Sequence, residues 1–207
     1  PEAWTSATSL RYTQRWPPAI RSSPRGVTTA LGSIRSSLPD ERLEQGRSRR
    51  RTSCYNRPVR IAIGSDHAGY HLKEALKQTL NGAGVEVEDV GTENEESVDY
   101  PDYAERVAAR VASGQSDRGI LICGTGIGMA MAANKVDGIR AASVTDEIGA
   151  RLARQHNDAN VLALGGRVTP PEVAARLIRI FLDTPFEGGR HQRRVDKVSR
   201  LERRQSG

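Results

Sequence analysis

Residues 119–128 read GILICGTGIG, and this stretch decides the fold. Its apolar run, Ile120 to Ile122, is typical of a strand that is buried on both faces of a parallel sheet. A cysteine ends the run, three glycines follow at alternate positions, and an Ala- and Met-rich helical segment begins at Met129. A strand that passes through a Gly-rich turn into a helix presents backbone N–H groups to a bound anion. The stretch therefore predicts a strand–helix unit that carries both a thiol and an anion cradle.

Strands and helices alternate on both sides of this unit. The hydrophobic pattern predicts strands at 59–63, 85–90, 120–122, 139–144 and 160–164, with helices between them and a C-terminal helix over 190–204. The second helix is predicted to begin after Pro101. Strict alternation predicts a doubly wound, Rossmann-like three-layer α/β sandwich, in which helices cover both faces of a five-stranded, mostly parallel sheet. In that architecture ligands bind beyond the carboxyl ends of the strands.

The charge of the chain is unevenly distributed. Residues 1–58 carry 11 Arg and 4 acidic residues, a net of +7, whereas the 20 basic and 21 acidic residues of 59–207 give a net of −1. The charge therefore does not favour nucleic-acid binding by the domain at 59–207. Cys54 and Cys123 have no paired spacing, which favours a reducing, cytoplasmic compartment. No apolar run reaches the ~20 residues that a membrane-spanning helix needs, so we expect no membrane partner.

Residues 1–58 are rich in Ser, Arg, Pro and Thr and have no sustained period of 2 or 3.6. Such a composition buries too little apolar surface to offset chain entropy, so we expect disorder. Three interpretations stay open: an organelle transit segment, a nucleic-acid contact through residues 47–51, or an over-extended gene model whose true start is Val59. We favour the third, since no Met precedes Met129 and the first predicted strand begins at Val59.

The predicted topology brings a set of chemistry-bearing side chains to the strand ends: Asp66 and His67 after strand one, Cys123 after strand three, His156, Asn157 and Asp158 before strand five, Arg167 after strand five, and Arg190, His191, Arg193 and Arg194 in the tail. We expect these side chains to converge at one edge of the sheet. A thiol, carboxylates, imidazoles and guanidinium groups together suit a small anionic polyol, with arginine binding a phosphate.

Each of these residues also has a structural interpretation. A cysteine that ends a buried strand is commonly a small core residue. Asp66 is placed to cap the first helix, and His156 suits the C-terminal end of a helix dipole. The glycine spacing is not that of a dinucleotide fingerprint, which would also follow the first strand rather than the third. An Arg-rich tail is by default a solvated helix face.

Five motifs resemble the ribose-5-phosphate isomerase type B family: GSDHAG at 64–69, DYP at 99–101, ICGTGIG at 122–128 followed by AANK at 132–135, RQHND at 154–158, and EGGRH at 187–191. The resemblance covers residues 59 to about 204. It implies an aldose–ketose isomerase that interconverts ribose 5-phosphate and ribulose 5-phosphate without a metal or organic cofactor. It also implies a homodimer, or a tetramer made of two such dimers, with each active site between two subunits and some phosphate ligands from the partner chain.

The same resemblance assigns roles to individual residues. Cys123 matches the base that moves a proton between C2 and C1 through an enediolate, and Met129 stands where other members carry a Glu base, so the chain resembles the Cys type. The other matches are the enediolate-binding amides of Gly124, Gly126, Ile127 and Gly128, Asn157 beside them, Thr125 near the thiol, His156 for ring opening, Asp66 for the sugar hydroxyls, Tyr100 for substrate, and His67, Arg167, Arg190 and Arg194 for the phosphate.

The substrate is not settled by the resemblance. Related isomerases act on galactose 6-phosphate, allose 6-phosphate or erythrulose 4-phosphate, and these differ mainly in the length of the pocket. A catalytically silent sugar-phosphate sensor on the same fold is an alternative of a different class. Gly166 stands where many relatives have Ser, but Arg167 is kept.

Overall fold

The computed structural model describes residues 58–81 and 84–205. In chain order the elements are β1 (Val59–Ser65), a short 3₁₀ turn (His67–Gly69), α1 (Tyr70–Asn81), β2 (Val85–Asp89), α2 (Tyr100–Ala112), β3 (Arg118–Cys123), α3 (Ile127–Ala133), β4 (Ala141–Ser143), α4 (Glu147–Asn157), β5 (Val161–Gly165), α5 (Pro171–Asp183) and α6 (Arg190–Gln205). The predictions for residues 1–57 lie outside the described residues.

The five strands form one sheet in the order β2-β1-β3-β5-β4, and every neighbouring pair is parallel. The predicted three-layer α/β fold is confirmed. From β1 the chain goes outward to β2 and then crosses to β3 on the other side, so the strand order reverses between β1 and β3. A crevice for ligands forms at the carboxyl ends of two such strands.

The central strands are buried on both faces, and the two faces differ in side-chain size. Ile and Leu side chains of β1, β3 and β5 pack against α1, α4 and α5. The other face carries smaller residues such as Ala62 and Ala163, and it packs against α2 and α3. A Cβ atom at Gly119 would lie 2.7 Å from a Val107 methyl group, so the glycine lets α2 approach β3 closely. This close approach brings α2 and α3 over the ends of β1 and β3.

Several element boundaries differ from the prediction by one or two residues, and two of the differences have a clear structural reason. Helix α2 begins at Tyr100 rather than after Pro101, because proline is accommodated in the first turn of a helix, where its missing N–H would have no partner. Strand β4 is three residues long rather than six, since it is an edge strand with only β5 beside it. Within the described part of the chain, none of the helices combines the length and apolarity that a bilayer crossing requires.

Candidate active site

Cys123 ends β3 and lies under the first turn of α3. Its Sγ accepts a hydrogen bond from the Gly126 N–H at 3.1 Å, and its side chain is 5% exposed. Gly126 has a φ of 81°, a left-handed conformation that glycine adopts without strain, and it caps α3. The turn therefore fixes the direction of the thiol, and the amide stabilises negative charge on sulfur.

Arg167 lies against the same turn. Hydrogen bonds from the Gly166 and Arg167 amides to the carbonyls of Cys123 and Gly124, at 2.7 and 3.1 Å, join the end of β5 to the end of β3. An added Cβ at Gly124 would lie 3.7 Å from Nε and Nη1 of Arg167. The Arg167 guanidinium thus lies beside the turn that follows Cys123.

Asp66 and His67 enter this region from the end of β1. Asp66 is buried, and its Oδ1 accepts a hydrogen bond from the Gly69 N–H at 3.0 Å, so the residue does cap the turn that opens α1. The half-buried His67 accepts a hydrogen bond at Nδ1 from the Val98 N–H at 3.2 Å. Their roles toward a sugar phosphate stay predictions.

Tyr100 and Thr125 complete the predicted set at this edge. The Tyr100 ring lies on Gly128, where an added Cβ would come within 2.9 Å of the ring. Thr125 is exposed, and its Oγ1 accepts a hydrogen bond from the Ile127 N–H at 3.4 Å. We name this group at the carboxyl edge of the sheet the thiol half-site: Asp66, His67, Tyr100, Cys123, residues 124–128 and Arg167.

His156 and Asn157 lie at the opposite edge of the sheet, so the expectation that all the candidate residues converge at one edge is wrong for a single chain. Helix α4 leaves the carboxyl end of β4 and returns the chain to the amino end of β5, and these two residues are in its last turn. Arg140, which precedes β4, donates from Nε to the carbonyls of Asn157 and Asp158 at 3.2 and 2.9 Å. Helices between parallel strands always make this return.

Helix α6 brings its residues to His156 rather than to Cys123. The His156 and His191 rings stack at 4.2 Å with an interplanar angle of 6°. Glu187 Oε2 lies 4.0 Å from Nε2 of His156 and 3.6 Å from Nε2 of His191. Burial, together with the positive charges of His156, Arg190 and Arg194, lowers the pKa of His191. We name this group the imidazole half-site: His156, Asn157, Glu187, Arg190, His191 and Arg194.

A buried ion pair supports the imidazole half-site. Asp158 ends α4 with a φ of 45°, and Arg154, only 4% exposed, donates from Nη1 to its Oδ1 at 2.7 Å and to the Ala159 carbonyl at 2.6 Å. Nη2 of Arg140 holds the second carboxylate oxygen at 2.9 Å. Asp158 thus belongs to the support of the site, and it fixes where the last turn of α4 presents His156.

His156, Glu187 and His191 also form a possible metal-ligand set, since their ligand atoms lie within 4.8 Å of one another. Two observations disfavour a cation there. Arg190 already donates from Nε to Nε2 of His191 at 3.3 Å. Stacked parallel rings also direct their lone pairs along parallel lines rather than toward one point. The cluster is better suited to proton transfer beside an anion.

A groove of about 770 Å³ opens on the imidazole half-site, between β4, α4 and α6. His156, Asn157, His191 and Arg194 line it, and Cys123 does not. The strands between the two edges are five or six residues long, and at ~3.3 Å per residue this separates the half-sites by roughly 15–20 Å. That separation exceeds the length of a five-carbon sugar phosphate.

Comparison with known proteins relates the fold and the sequence motifs to the same family. The family model described as Ribose/Galactose Isomerase matches residues 61–198. The chain belongs to the ribose/galactose isomerase family. The match begins inside β1 and ends inside α6, so it takes in both half-sites. The isomerase interpretation of the sequence motifs is therefore confirmed.

Individual relatives of this isomerase family are similar over nearly their whole length. Ribose-5-phosphate isomerase B of Escherichia coli is 49% identical over 147 residues, which are 71% of this chain and 99% of that protein. The solved ribose-5-phosphate isomerase B of Clostridium thermocellum is 51% identical with a TM-score of 0.70, over 71% of this chain and 99% of that one. The Mycoplasma genitalium enzyme, solved with bound ribulose 5-phosphate, is 46% identical with a TM-score of 0.68, over 71% of this chain and 98% of that one.

Two contacts within the half-sites were not predicted from the sequence. Glu187 was part of a motif but had no assigned role, although its spacing of four residues from His191 would have placed both on one side of a helix start. The amide of Val98 could not be identified, because a backbone N–H leaves no mark in the sequence.

Proposed function

We propose that this isomerase interconverts ribose 5-phosphate and ribulose 5-phosphate. The E. coli and C. thermocellum relatives carry that activity in their names, and the M. genitalium relative holds ribulose 5-phosphate. The observation that carries the proposal is the thiol of Cys123, held by the Gly126 amide at 3.1 Å beside the Arg167 guanidinium. A base, an amide cradle and a cation together meet the needs of a phosphorylated sugar.

In the proposed reaction Cys123 acts as the base. Its thiolate takes the proton from C2 of the open-chain aldose, electrons move onto the C1 carbonyl oxygen, and an enediolate forms. The O2 hydroxyl gives up its proton and O1 takes one, and as the thiol returns its proton to C1 the C2 oxygen becomes the new carbonyl. Amides of the 124–128 turn stabilise the enediolate oxygen, and such donors are typically worth ~3–4 kcal/mol each. Thr125 borders this turn, and Asn157 is assigned to the same oxygen.

In this proposal ring opening belongs to the imidazole half-site, and phosphate binding is shared by the two half-sites. His156 transfers a proton between the furanose ring oxygen and the anomeric hydroxyl, and Asp66 binds the sugar hydroxyls beside it. Arg190 and Arg194 are exposed on α6 and free to meet a phosphate dianion, to which His67 and Arg167 add from the thiol half-site.

A second copy of the chain completes the site in this proposal. The two half-sites lie roughly 15–20 Å apart within one chain, so one substrate cannot reach both. A homodimer in which the thiol half-site of one copy faces the imidazole half-site of the other removes the difficulty. Apolar side chains of Ile127, Met131 and Val168, each more than half exposed beside the thiol half-site, support such a contact. We place the dimer in the cytoplasm, as two cysteines without paired spacing in the sequence favour.

A panel of sugar phosphates tests the proposed substrate. We expect the highest kcat/KM for ribose 5-phosphate and lower values for allose 6-phosphate, galactose 6-phosphate and erythrulose 4-phosphate, since discrimination follows transition-state binding. A higher kcat/KM for a six-carbon phosphate would move the assignment to another isomerase of the family. Binding of all four without turnover would instead favour a sensor.

A further inference from the structure

One hydrogen bond determines what His67 presents to a ligand. The Val98 N–H donates to Nδ1 of His67 at 3.2 Å. A ring nitrogen that accepts a hydrogen bond carries no proton, so the proton of the neutral imidazole is on Nε2. Across residues 58–81 and 84–205, Nε2 of His67 has no hydrogen-bond partner.

We infer that the backbone amide of Val98 selects the Nε2–H tautomer of His67 and thereby makes this side chain an N–H donor to the substrate phosphate. The inference rests on the proposed function, which makes His67 a phosphate ligand. With the proton on Nδ1, the imidazole would turn a lone pair toward a phosphate oxygen, and two acceptors repel each other. Val98 is thus a positioning residue that acts through its main chain.

The segment that carries Val98 is anchored to β1, the strand that leads into the turn with His67. The Val90 N–H donates to the Ile63 carbonyl at 2.9 Å, and the Thr92 N–H donates to the Ser65 carbonyl at 3.0 Å. Thr92 is also buried. Two bonds to β1 at the start of the segment keep the amide and the imidazole on one scaffold, which preorganises the donor before a ligand arrives.

A second attachment holds the middle of the segment. Glu95 lies 2.7 Å from Nε2 of His71 on α1, and α1 follows directly after the turn that contains His67. The start and the middle of the segment 90–98 are therefore tied to the elements that flank His67.

The Nε2–H tautomer also gives His67 a role toward the phosphate that differs from that of Arg167. A neutral imidazole adds a directed hydrogen bond without adding charge, whereas the guanidinium of Arg167 at the same edge supplies charge.

Nitrogen-15 NMR of the whole chain tests the tautomer directly. The protein has four histidines, so single His→Asn variants assign the signals. Long-range ¹⁵N–¹H correlation spectra of the wild type at pH 8 should show a protonated Nε2 and an unprotonated Nδ1 for His67. A protonated Nδ1, or a fast-averaged mixture of the two forms, would overturn the inference.

A matched pair of variants tests the consequence. Val98→Pro removes the N–H, whereas Val98→Ala keeps it and shortens only the side chain. For Val98→Pro we expect His67 to become a mixture of tautomers and KM for ribose 5-phosphate to rise roughly tenfold, with kcat changed less than KM. Val98→Ala should leave the tautomer and both constants near the wild-type values. Equal effects of the two variants would contradict the inference, and if Val98→Pro does not fold, the wild-type spectrum decides.

Failure of this inference is distinguishable from failure of the proposed function. An active isomerase whose His67 carries its proton on Nδ1 would overturn the role of Val98 alone. A protein that isomerises none of the sugar phosphates, but shows the Nε2–H form, would overturn the proposed function alone.

Discussion

The thiol half-site and the imidazole half-site are built from different parts of the same fold. The first lies in turns that directly follow buried strands, and backbone amides hold its key atom, the sulfur of Cys123. The second lies on helix ends, where side chains stack and pair with one another and the arginines are exposed. In the proposed mechanism, strand ends fix the atom that does the chemistry, while helix ends supply charge and proton transfer to a partner copy.

The largest effect should come from the residue that distinguishes the thiol half-site. Cys123→Ala removes the proposed base, so kcat/KM for ribose 5-phosphate should fall by ~10²–10⁴. Steady-state kinetics measure the loss, and a thermal unfolding curve shows that the fold is kept. Cys123→Ser is the matched control for size, and it should be nearly as inactive, because a hydroxyl is a much weaker base than a thiolate. Near-normal turnover by either variant would show that Cys123 is not the base of the reaction.

A smaller effect should come from the cations of the imidazole half-site. Arg194 lines the groove with His156, whereas its exposed neighbour Arg193 does not. Loss of a charge-assisted hydrogen bond to phosphate costs ~1.5–3 kcal/mol, so Arg194→Ala should raise KM by roughly ten- to a hundredfold with a smaller change in kcat. Arg193→Ala serves as the matched control and should change KM less than about twofold. Equal increases in KM for the two variants would mean that α6 contributes only the summed positive charge of its arginines and no specific contact with the phosphate.

The smallest effect should appear in the pH dependence of stability. Burial and neighbouring positive charge lower the pKa of His191 below the ordinary value of 6.5. Below about pH 6.5 the unfolded chain therefore binds more protons than the folded chain, so this contribution to stability is full above that pH and is lost as the pH falls. His191→Phe keeps a ring against His156 and removes the titrating group. Its Tm should drop less than that of the wild type between about pH 7 and pH 5, and an unchanged slope would contradict the assignment.

The architecture could be predicted from the sequence because the patterns that indicate strands, turns and helices are local. The apolar run before Cys123 and the glycines after it predicted a buried strand and a turn, and both are present. The predicted start of α2, after Pro101, was too late in the chain, since proline can occupy the first turn of a helix as well as precede it.

The arrangement of the candidate site was harder to predict, because it depends on which edge of the sheet each residue reaches. His156 and Asn157 come before a strand and not after one, and in a parallel sheet that places them at the amino edge. This information was present in the element order. The stack of His156 on His191, the Tyr100 ring on Gly128 and the Val98 amide on His67 join residues far apart in sequence. No local pattern records such contacts.

Complementation between two inactive variants tests most directly whether the two half-sites meet across a dimer. Cys123→Ala and His156→Ala chains are unfolded together, refolded as an equimolar mixture and assayed beside each variant alone. Each mixed dimer would contain one site with both substitutions and one intact site, so random pairing in a two-fold symmetric dimer predicts about a quarter of the wild-type activity. A mixture no more active than the separate variants would contradict the shared site.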